Sequence, residues 1–502
     1  MQASQEPVKT RHLASICIAA AAGLVQLSAT AAESTNQSLV QISASSAVSL
    51  RVVVDPRVEL MSLIFRLAGN PEYNQSRVES YAADADKQFG RFRDDAVVKL
   101  AEGLRGSHGV SYDAVMSMAI HLTDAEHVTL RLPLDPWPDG LDQRWTAPDA
   151  TNFLALARRF VKDSSFQEFV NQHDSLYQTA VARMQALMVK EAHLEWFDAF
   201  FGQRPQASFT VALALLSGGE CYGPHFRAAD GHEELYCVLG VWKTDAEGLP
   251  EFRHDALPIV VHEFCHSYAN PLVERHLGEL EPSGDTLFAQ VAQKMRSQAY
   301  NNGSTLLKES LVRACVIRYQ RRYDGEEAAR RAIQVEKQNG FLWMQELSDL
   351  MGEYEAHRDR YPTLEAFSPR LVAFFDETAK DFPRKQAELA SKRPKIVSMV
   401  PANGAQDVDP KLTAIEVVFD RPMKDKAWAF VGGGPHCPET GKDCHYDAQH
   451  KVWTVPVTLK PGWSYRFMLN SEKFVGFCSE QGVPLEPVTV TFTTAGEKAA
   501  GQ

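Results

Sequence analysis

Two histidines stand four residues apart in the segment His262-Glu263-Phe264-Cys265-His266, and a glutamate directly follows the first of them. Residues four apart lie on one face of a helix, so both imidazoles can reach a single ion. Zinc binds histidine nitrogens, and it lowers the pKa of a bound water to about 7. The spacing therefore predicts a Zn2+ site with His262 and His266 as ligands. Glu263 is the predicted general base that takes the proton of the water.

A catalytic zinc takes three protein ligands and keeps one position open, so a third ligand must come from elsewhere in the chain. The metzincin motif would place a third histidine where this sequence has Leu272, and we therefore exclude that class. A glutamate from a later segment is the better option. The glutamates considered are Glu274, Glu279, Glu281, Glu309, Glu326 and Glu327.

Glu309 is the predicted third ligand because the other residues of its segment, 304–319, are largely apolar. A carboxylate on a buried helix needs a partner, since burying an unpaired charge is unfavourable. Zinc would be such a partner, and Arg313, one turn later, could hold the carboxylate in place. The alternative is an ordinary surface ion pair of Glu309 with Arg313 or Lys308.

The residues around the histidines favour a short helix. Asp255 is a suitable N-cap, and Pro258 is tolerated in a first helical turn. Asn270 and Pro271 predict the end of the helix one turn after His266.

The surrounding sequence predicts an α+β domain over residues 48–390. It is mainly helical from 56 to 200 and again from about 285 to 391. Two strands are predicted, 208–216 and 234–242, which would form a small mixed sheet beside the zinc helix. Either strand could be an edge that binds an extended substrate, and both could equally be plain core strands.

The N-terminus has the features of a secretory signal peptide over residues 1–31. Lys9 and Arg11 precede a short apolar run, 13–27, and Ala31 and Ala32 offer a cleavage site. Residues 32–47 are predicted to be a flexible lead-in. We expect an exported protein, periplasmic or extracellular, with no stable membrane span after cleavage. An uncleaved N-terminal anchor is the alternative.

The net charge and the cysteine spacing argue against nucleic-acid binding and against a cysteine-based zinc site. The chain of 502 residues has a formal net charge of -12 and no basic stripe, so nucleic acid is not an expected partner. No C-x-x-C spacing occurs, which argues against a cysteine-based zinc site. Cys221 could pair with Cys237, and Cys437 with Cys444. Outside the leader the cysteines are Cys221, Cys237, Cys265, Cys315, Cys437, Cys444 and Cys478, an odd number that predicts at least one free thiol.

The pattern of HExxH with a glutamate on a later helix resembles the gluzincins. That resemblance implies a zincin-like fold with zinc at His262, His266 and Glu309. Segments 51–60, 66–69, 261–271 and 309–314 resemble the bacterial DUF4932 family, in which exported proteins have a metallopeptidase-like core.

A second domain is predicted over residues 395–496, where short strands alternate with turns as in an all-β sandwich. Segments 401–410, 415–423 and 490–494 resemble a bacterial Ig-like domain of the SbsA type. Such domains act as spacers or bind a surface.

The sequence as a whole therefore predicts a secreted zinc metallopeptidase that acts on a peptide or protein substrate. One alternative is a non-catalytic exported binding protein with a zincin-like fold, although such a protein would not need Glu263. Another is a zinc hydrolase of non-peptide amides or esters.

Overall fold

The computed structural model describes residues 40–41, 49–204, 206–471 and 474–496. The predicted signal peptide, 1–31, and most of the predicted lead-in lie outside these residues. Within them, no helix combines the length and the apolar character needed to cross a membrane. The chain divides into two compact units, Met1–Ala379 and Lys380–Gln502. The structure is α+β, as the sequence predicts, with a helix-rich first unit and β-sheets in the second.

Most of the first unit is helical. Its helices are α1 (Pro56–Leu67), α2 (Glu79–Phe89), α3 (Ala96–His108), α4 (Asp113–His121), α5 (Ala147–Ser164), α6 (Phe166–Gln172), α7 (Asp174–Glu191), α8 (Glu195–Phe201), α9 (Leu257–Arg275), α10 (Leu277–Arg296), α11 (Gly303–Tyr323), α12 (Glu326–Gln338) and α13 (Met344–Ala356). A last helix, α14 (Leu364–Lys392), begins in the first unit and ends after Ala379. Single 3-10 turns lie at Pro71–Tyr73, Gly90–Phe92 and His254–Ala256. The segment after Ser165, whose φ is +56°, is divided into the three helices α6, α7 and α8.

One sheet of six strands completes the first unit. Its strands are β1 (Val40–Gln41), β2 (Ser49–Val54), β3 (Ala207–Ala214), β4 (Cys221–Tyr222), β5 (His225–Arg227) and β6 (Glu233–Gly240). The order is β1-β2-β3-β6-β4, and β5 also pairs with β6. The strands β2, β3 and β6 are parallel, and β4 and β5 run antiparallel to β6, so the sheet is mixed.

The two strands predicted from sequence lie in the middle of the sheet. In both β3 and β6 the last six residues are buried without alternation, which is typical of strands covered on both faces. Their interpretation as core strands is therefore correct, and the edge-strand interpretation is wrong. The edge of the sheet next to β6 is the segment 221–227, which no sequence pattern singles out.

Both short strands of that edge, β4 and β5, pair with β6 in the same continuous register. Cys221 lies opposite Leu239, and His225 lies opposite Leu235, so β4 and β5 form a single edge interrupted only at 223–224. The carbonyl oxygen of Pro224 accepts a hydrogen bond of 3.0 Å from the Tyr236 N–H. The even-numbered residues of the edge therefore bond to β6, and the backbone groups of residue 223 face outward.

The helix α9 departs from the prediction at both ends. It begins at Leu257 with no side-chain cap, because Asp255 lies in the preceding 3-10 turn and binds Lys243 at 2.7 Å. It continues through Pro271 to Arg275. A proline inside a helix leaves the carbonyl four residues earlier without its N–H donor. Here the Arg204 Nη1 donates to the Ser267 carbonyl at 3.2 Å and replaces that donor.

The second unit is built from strands. They are β7 (Ile396–Val400), β8 (Ala405–Val408), β9 (Ala414–Phe419), β10 (Phe430–Val431), β11 (Glu439–Thr440), β12 (His445–Tyr446), β13 (Val452–Thr458), β14 (Ser464–Leu469) and β15 (Val488–Thr494). One sheet has the order β10-β14-β15-β8, and the other has β11-β13-β9-β7 with β12 paired to β13. Both sheets contribute to one apolar core, in which Trp453 is fully buried.

The cysteines of the described residues are all free thiols. The proposed pair of Cys221 and Cys237 is not formed, because Cys221 lies opposite Leu239 and is therefore offset from Cys237 by two residues. Cys437 and Cys444 are also unpaired.

Candidate metal centre

The histidine helix α9 packs between the sheet and α11. Phe264 is fully buried, and its ring lies 4.7 Å from that of Phe209 on β3 in an edge-to-face contact. Packing of Phe264 against the sheet fixes the rotation of α9 about its own axis, and so fixes the directions of the neighbouring side chains. The two histidines are then presented on a different face, where Glu309 of α11 meets them.

The side chains of His262, His266 and Glu309 converge on one point. The two histidine Nε2 atoms are 3.2 Å apart. Glu309 Oε1 lies 3.5 Å from His266 Nε2, and Oε2 lies 3.6 Å from His262 Nε2. Ligands bound tetrahedrally to zinc at 2.0–2.1 Å stand about 3.3 Å from one another. The spacing of this cluster therefore fits a single zinc-sized ion.

A contact with Asn270 orients His266 as a possible ligand. Its Nδ1 lies 3.2 Å from Asn270 Oδ1, which as a pure acceptor fixes the proton on Nδ1 and leaves the Nε2 lone pair free. Metal-bound histidines in proteins are generally held in this way by a second partner. The sequence placed Asn270 at the end of the helix and so missed this role, although the spacing of four residues from His266 was available as a signal.

The charges of the cluster suit a cation. Burial lowers the pKa of His262 to about 3, so its imidazole is neutral at neutral pH. Burial alone would raise the pKa of Glu309, but His266, Arg313, His262 and the Tyr300 hydroxyl outweigh it and lower the pKa to about 2. At neutral pH, where His262 is uncharged, Arg313 and Tyr300 still keep this carboxylate ionised.

Glu263 lies next to the cluster and is buried, with 7 % of its surface exposed. Burial, and after it the charge of Glu309, raises the pKa of Glu263 well above its usual range. In the described part of the chain no side chain or backbone group forms a hydrogen bond with this carboxylate. A cation in the cluster would lower its pKa again and make it a base.

The edge of the sheet touches Glu263 at Gly223. A Cβ atom at residue 223 would lie 2.4 Å from the Glu263 carbonyl oxygen and 3.1 Å from Oε2. Only glycine fits at this distance, so the outward-facing backbone of residue 223 is held directly beside the carboxylate. Gly223 could not be predicted from the sequence, because a close approach between distant segments has no local pattern.

The other glutamates considered as ligands are engaged elsewhere or exposed. Glu274 pairs with Lys308 at 2.7 Å, and Glu279 lies 3.3 Å from His276. Glu326 and Glu327 pair with arginines on the surface, and Glu281 is exposed. In the described residues, the group with metal-binding spacing contains Glu309 alone among these glutamates.

Glu309 does contact Arg313, at 3.2 Å, but not at the surface, because the two side chains are only 9 % and 5 % exposed. The Tyr300 hydroxyl donates to Glu309 Oε2 at 3.0 Å. Arg313 also donates to Glu336 Oε2 at 2.7 Å. No local pattern points to Tyr300 or Glu336, because neither lies on α9 or α11, the helices of the His-His-Glu cluster.

Fold and site together define an α+β protein with a buried His-His-Glu cluster that could hold a metal ion. The chain belongs to the family described as Domain of unknown function (DUF4932), whose model matches residues 50–374. The resemblance noted in the sequence is thereby confirmed, and the matched range contains His262, His266 and Glu309. No curated protein matches the chain.

Three solved structures are weakly similar to the chain. CopC from Methylosinus trichosporium OB3b is 10 % identical with a TM-score of 0.17, over 22 % of this chain and 99 % of that one. Domains 1–6 of the surface layer protein SbsC are 16 % identical with a TM-score of 0.16, over 47 % of this chain and 33 % of that one. The S-layer protein rSbsC(31-844) is 12 % identical with a TM-score of 0.16, over 81 % of this chain and 46 % of that one. The chain thus spans less than half of either S-layer structure.

Proposed function

We propose that the protein is a zinc-dependent metallopeptidase of the gluzincin type, with a zincin-like first unit. The observation that carries the proposal is the set of distances of 3.2, 3.5 and 3.6 Å among the ligand atoms of His262, His266 and Glu309. A buried glutamate, Glu263, stands beside these three side chains.

The cluster fits a metal in its chemistry as well as its spacing. Two imidazole nitrogens that face each other at 3.2 Å can share at most one proton between them in a hydrogen bond, whereas both can donate a lone pair to a cation. Arg313 is the only permanent cation in contact with Glu309 or Glu336 among the described residues. One of these two carboxylates, of which Glu309 is buried and Glu336 partly buried, is therefore left without a full counter-charge, which is unfavourable away from water.

Each side chain then has a distinct part in hydrolysis. Zinc, when bound, supplies a Lewis acid that lowers the pKa of water to about 7 and polarises the substrate carbonyl. Glu263 accepts the proton of the attacking water and transfers it to the leaving amine. His262, His266 and Glu309 are the ligands.

The sheet edge supports a peptide as the substrate. An extended peptide can add to an exposed edge strand through main-chain hydrogen bonds. The N–H and C=O of Gly223 face outward from β6 and make no backbone hydrogen bond with any described residue. Because Gly223 also touches Glu263, a peptide paired here would bring its own backbone to the general base.

The proposal includes the second unit as an Ig-like sandwich of the SbsA type. Its two sheets around one core, with Trp453 at 0 % exposure, support that architecture. In an exported peptidase such a unit serves as a spacer or binds a surface. Export to the periplasm or the exterior remains a prediction from the sequence, and N-terminal sequencing of the secreted protein would test it.

A peptide-library digest tests the proposed activity. Zinc-loaded wild type and Glu263→Gln are incubated with a mixture of peptides, and the products are read by mass spectrometry. We expect cleavage by wild type and loss of cleavage in Glu263→Gln, with zinc content unchanged in both. Glu274→Gln, a change of the same type on the surface, is the control and should cleave as wild type does.

The same digest separates the alternatives. Wild type that binds zinc one-to-one but cuts no peptide would contradict the peptidase proposal. A panel of acyl esters and non-peptide amides, assayed with the same three proteins, then distinguishes a hydrolase of other substrates from a non-catalytic binding protein.

A further inference from the structure

The two oxygens of Glu309 differ in their surroundings. Oε2 accepts a hydrogen bond of 3.0 Å from the Tyr300 hydroxyl and lies 3.2 Å from Arg313 Nη2. Oε1 has no such donor among the described residues, and its nearest polar neighbour is His266 Nε2 at 3.5 Å. Distance to the histidines does not distinguish the two oxygens, because Oε2 lies at nearly the same distance, 3.6 Å, from His262 Nε2.

We propose that Tyr300 and Arg313 are positioning residues that hold Oε2 back, so that Glu309 offers Oε1 alone to the ion, and that Glu336 fixes Arg313 for this purpose. This inference rests on the proposed metal site. It deepens that proposal by stating how the protein keeps the coordination position for water and substrate open.

The number of carboxylate oxygens on the ion decides whether the site can be catalytic. Two histidines and one oxygen make three ligands and leave a fourth position for water. A carboxylate that bound through both oxygens would fill that position. Tyr300 and Arg313 oppose this by binding Oε2, since a bond from Oε2 to the ion would have to displace a charge-assisted hydrogen bond.

The residues that hold Oε2 are themselves fixed. Arg313 is 5 % exposed and donates to the Tyr300 hydroxyl at 2.8 Å through Nη2 and to Glu336 at 2.7 Å through Nη1. Its guanidinium also lies 4.7 Å from the centre of the Phe341 ring. Glu336 on α12 is thus connected to Glu309 through a buried chain of hydrogen bonds. Such outer partners typically change metal affinity or activity by about 10–100-fold when they are removed.

Tyr300→Phe removes one hydroxyl and tests this arrangement. Zinc affinity is measured by competition with a chromophoric chelator, and the bound Co2+ form is examined by visible absorption, which weakens as the coordination number rises. We expect zinc affinity to fall by about tenfold or more and the Co2+ absorption to weaken. Tyr319→Phe is the matched control, because its hydroxyl accepts the His193 N–H at 3.1 Å instead of binding a carboxylate.

Glu336→Gln is the second variant, and it does not alter any group in contact with Glu309. It should shift both readouts in the same direction as Tyr300→Phe, by a smaller factor. Thermal unfolding of the metal-free proteins shows which variants are folded, and if Tyr300→Phe is unfolded, Glu336→Gln decides alone.

The outcomes separate this inference from the proposed function. Wild type that binds no zinc overturns both. Wild type that binds zinc, together with folded variants whose affinity and Co2+ spectrum equal those of wild type, overturns the positioning role alone.

Discussion

Arg204 Nη1 donates a hydrogen bond of 3.2 Å to the carbonyl oxygen of Ser267, the oxygen that lacks its helical donor because residue 271 is proline. The guanidinium also lies 4.1 Å from the centre of the Tyr268 ring. A side chain from the loop before β3 thus takes over a backbone function in the helix that carries both histidines.

Arg204→Met should therefore destabilise the protein by about 1–3 kcal/mol, the usual effect of leaving a buried carbonyl without a partner. Pro271→Ala returns an N–H to that carbonyl, so the loss should be smaller in the double variant than in Arg204→Met alone. Denaturant unfolding of wild type, both single variants and the double variant measures this coupling. Strictly additive free energies would contradict the replacement of one donor by the other.

Gly223→Ala should abolish cleavage while zinc binding is retained. The added Cβ would lie 2.4 Å from the Glu263 carbonyl oxygen, so the sheet edge must move away from the general base. We also expect a loss of stability of about 1–3 kcal/mol from overpacking. The control is Gly219→Ala, whose Cβ would meet its nearest atom, on Trp242, at 3.8 Å. Full activity of Gly223→Ala would show that the edge does not take part.

Glu59 on α1 makes stability depend on pH. Burial raises its pKa from 4.5 to about 7, and its Oε1 accepts the Leu215 N–H at 2.8 Å. The folded protein binds this proton more tightly than the unfolded chain does, so its contribution is complete below pH 4.5 and is lost as pH rises through 7. The loss amounts to about 3 kcal/mol.

Glu59→Gln keeps the acceptor and removes the titration. Its free energy of unfolding should fall less than that of wild type between pH 5 and pH 8, with the difference near the ~3 kcal/mol given above. Glu79→Gln, on the exposed start of α2, is the control and should follow the wild-type curve. Parallel curves for wild type and Glu59→Gln would mean that this carboxyl is ionised throughout.

Glu309→Ala removes the proposed third ligand and should lower zinc affinity by about 100-fold or more, beyond the range found for outer partners. Equilibrium dialysis with metal analysis measures this. Glu274→Ala is the matched control, because Glu274 pairs with Lys308 on the surface. Zinc affinity that is equal in Glu309→Ala and wild type would remove Glu309 from the site.

The three residues of the His-His-Glu cluster could be predicted from the sequence because their signals are local or depend on burial. The histidines are paired by helical spacing, and Glu309 was recognised as a charge in an otherwise apolar helix. The central strands β3 and β6 were found for a related reason, since strands covered on both faces are continuously apolar.

What the sequence did not reveal depends on contacts between distant segments. The rule that proline ends a helix failed at residue 271, because Arg204, far away in sequence, supplies the missing donor. Tyr300 and Glu336 reach the site only after α10, α11 and α12 have packed together. Gly223 could not be distinguished from an ordinary turn glycine until β6 and α9 were in place.

Pro224 gives the sheet edge an unusual asymmetry. Its carbonyl oxygen accepts a hydrogen bond from the Tyr236 N–H of β6. The N–H that proline lacks would also have pointed toward β6, so the missing donor is on that side of the strand. The backbone groups that face away from β6, such as those of Gly223, lose no donor. Proline on an edge strand ordinarily discourages pairing with another chain. Here it lies one residue out of phase for that effect, so bonding toward β6 is weakened, whereas Gly223 keeps both of its outward-facing backbone groups for a second chain.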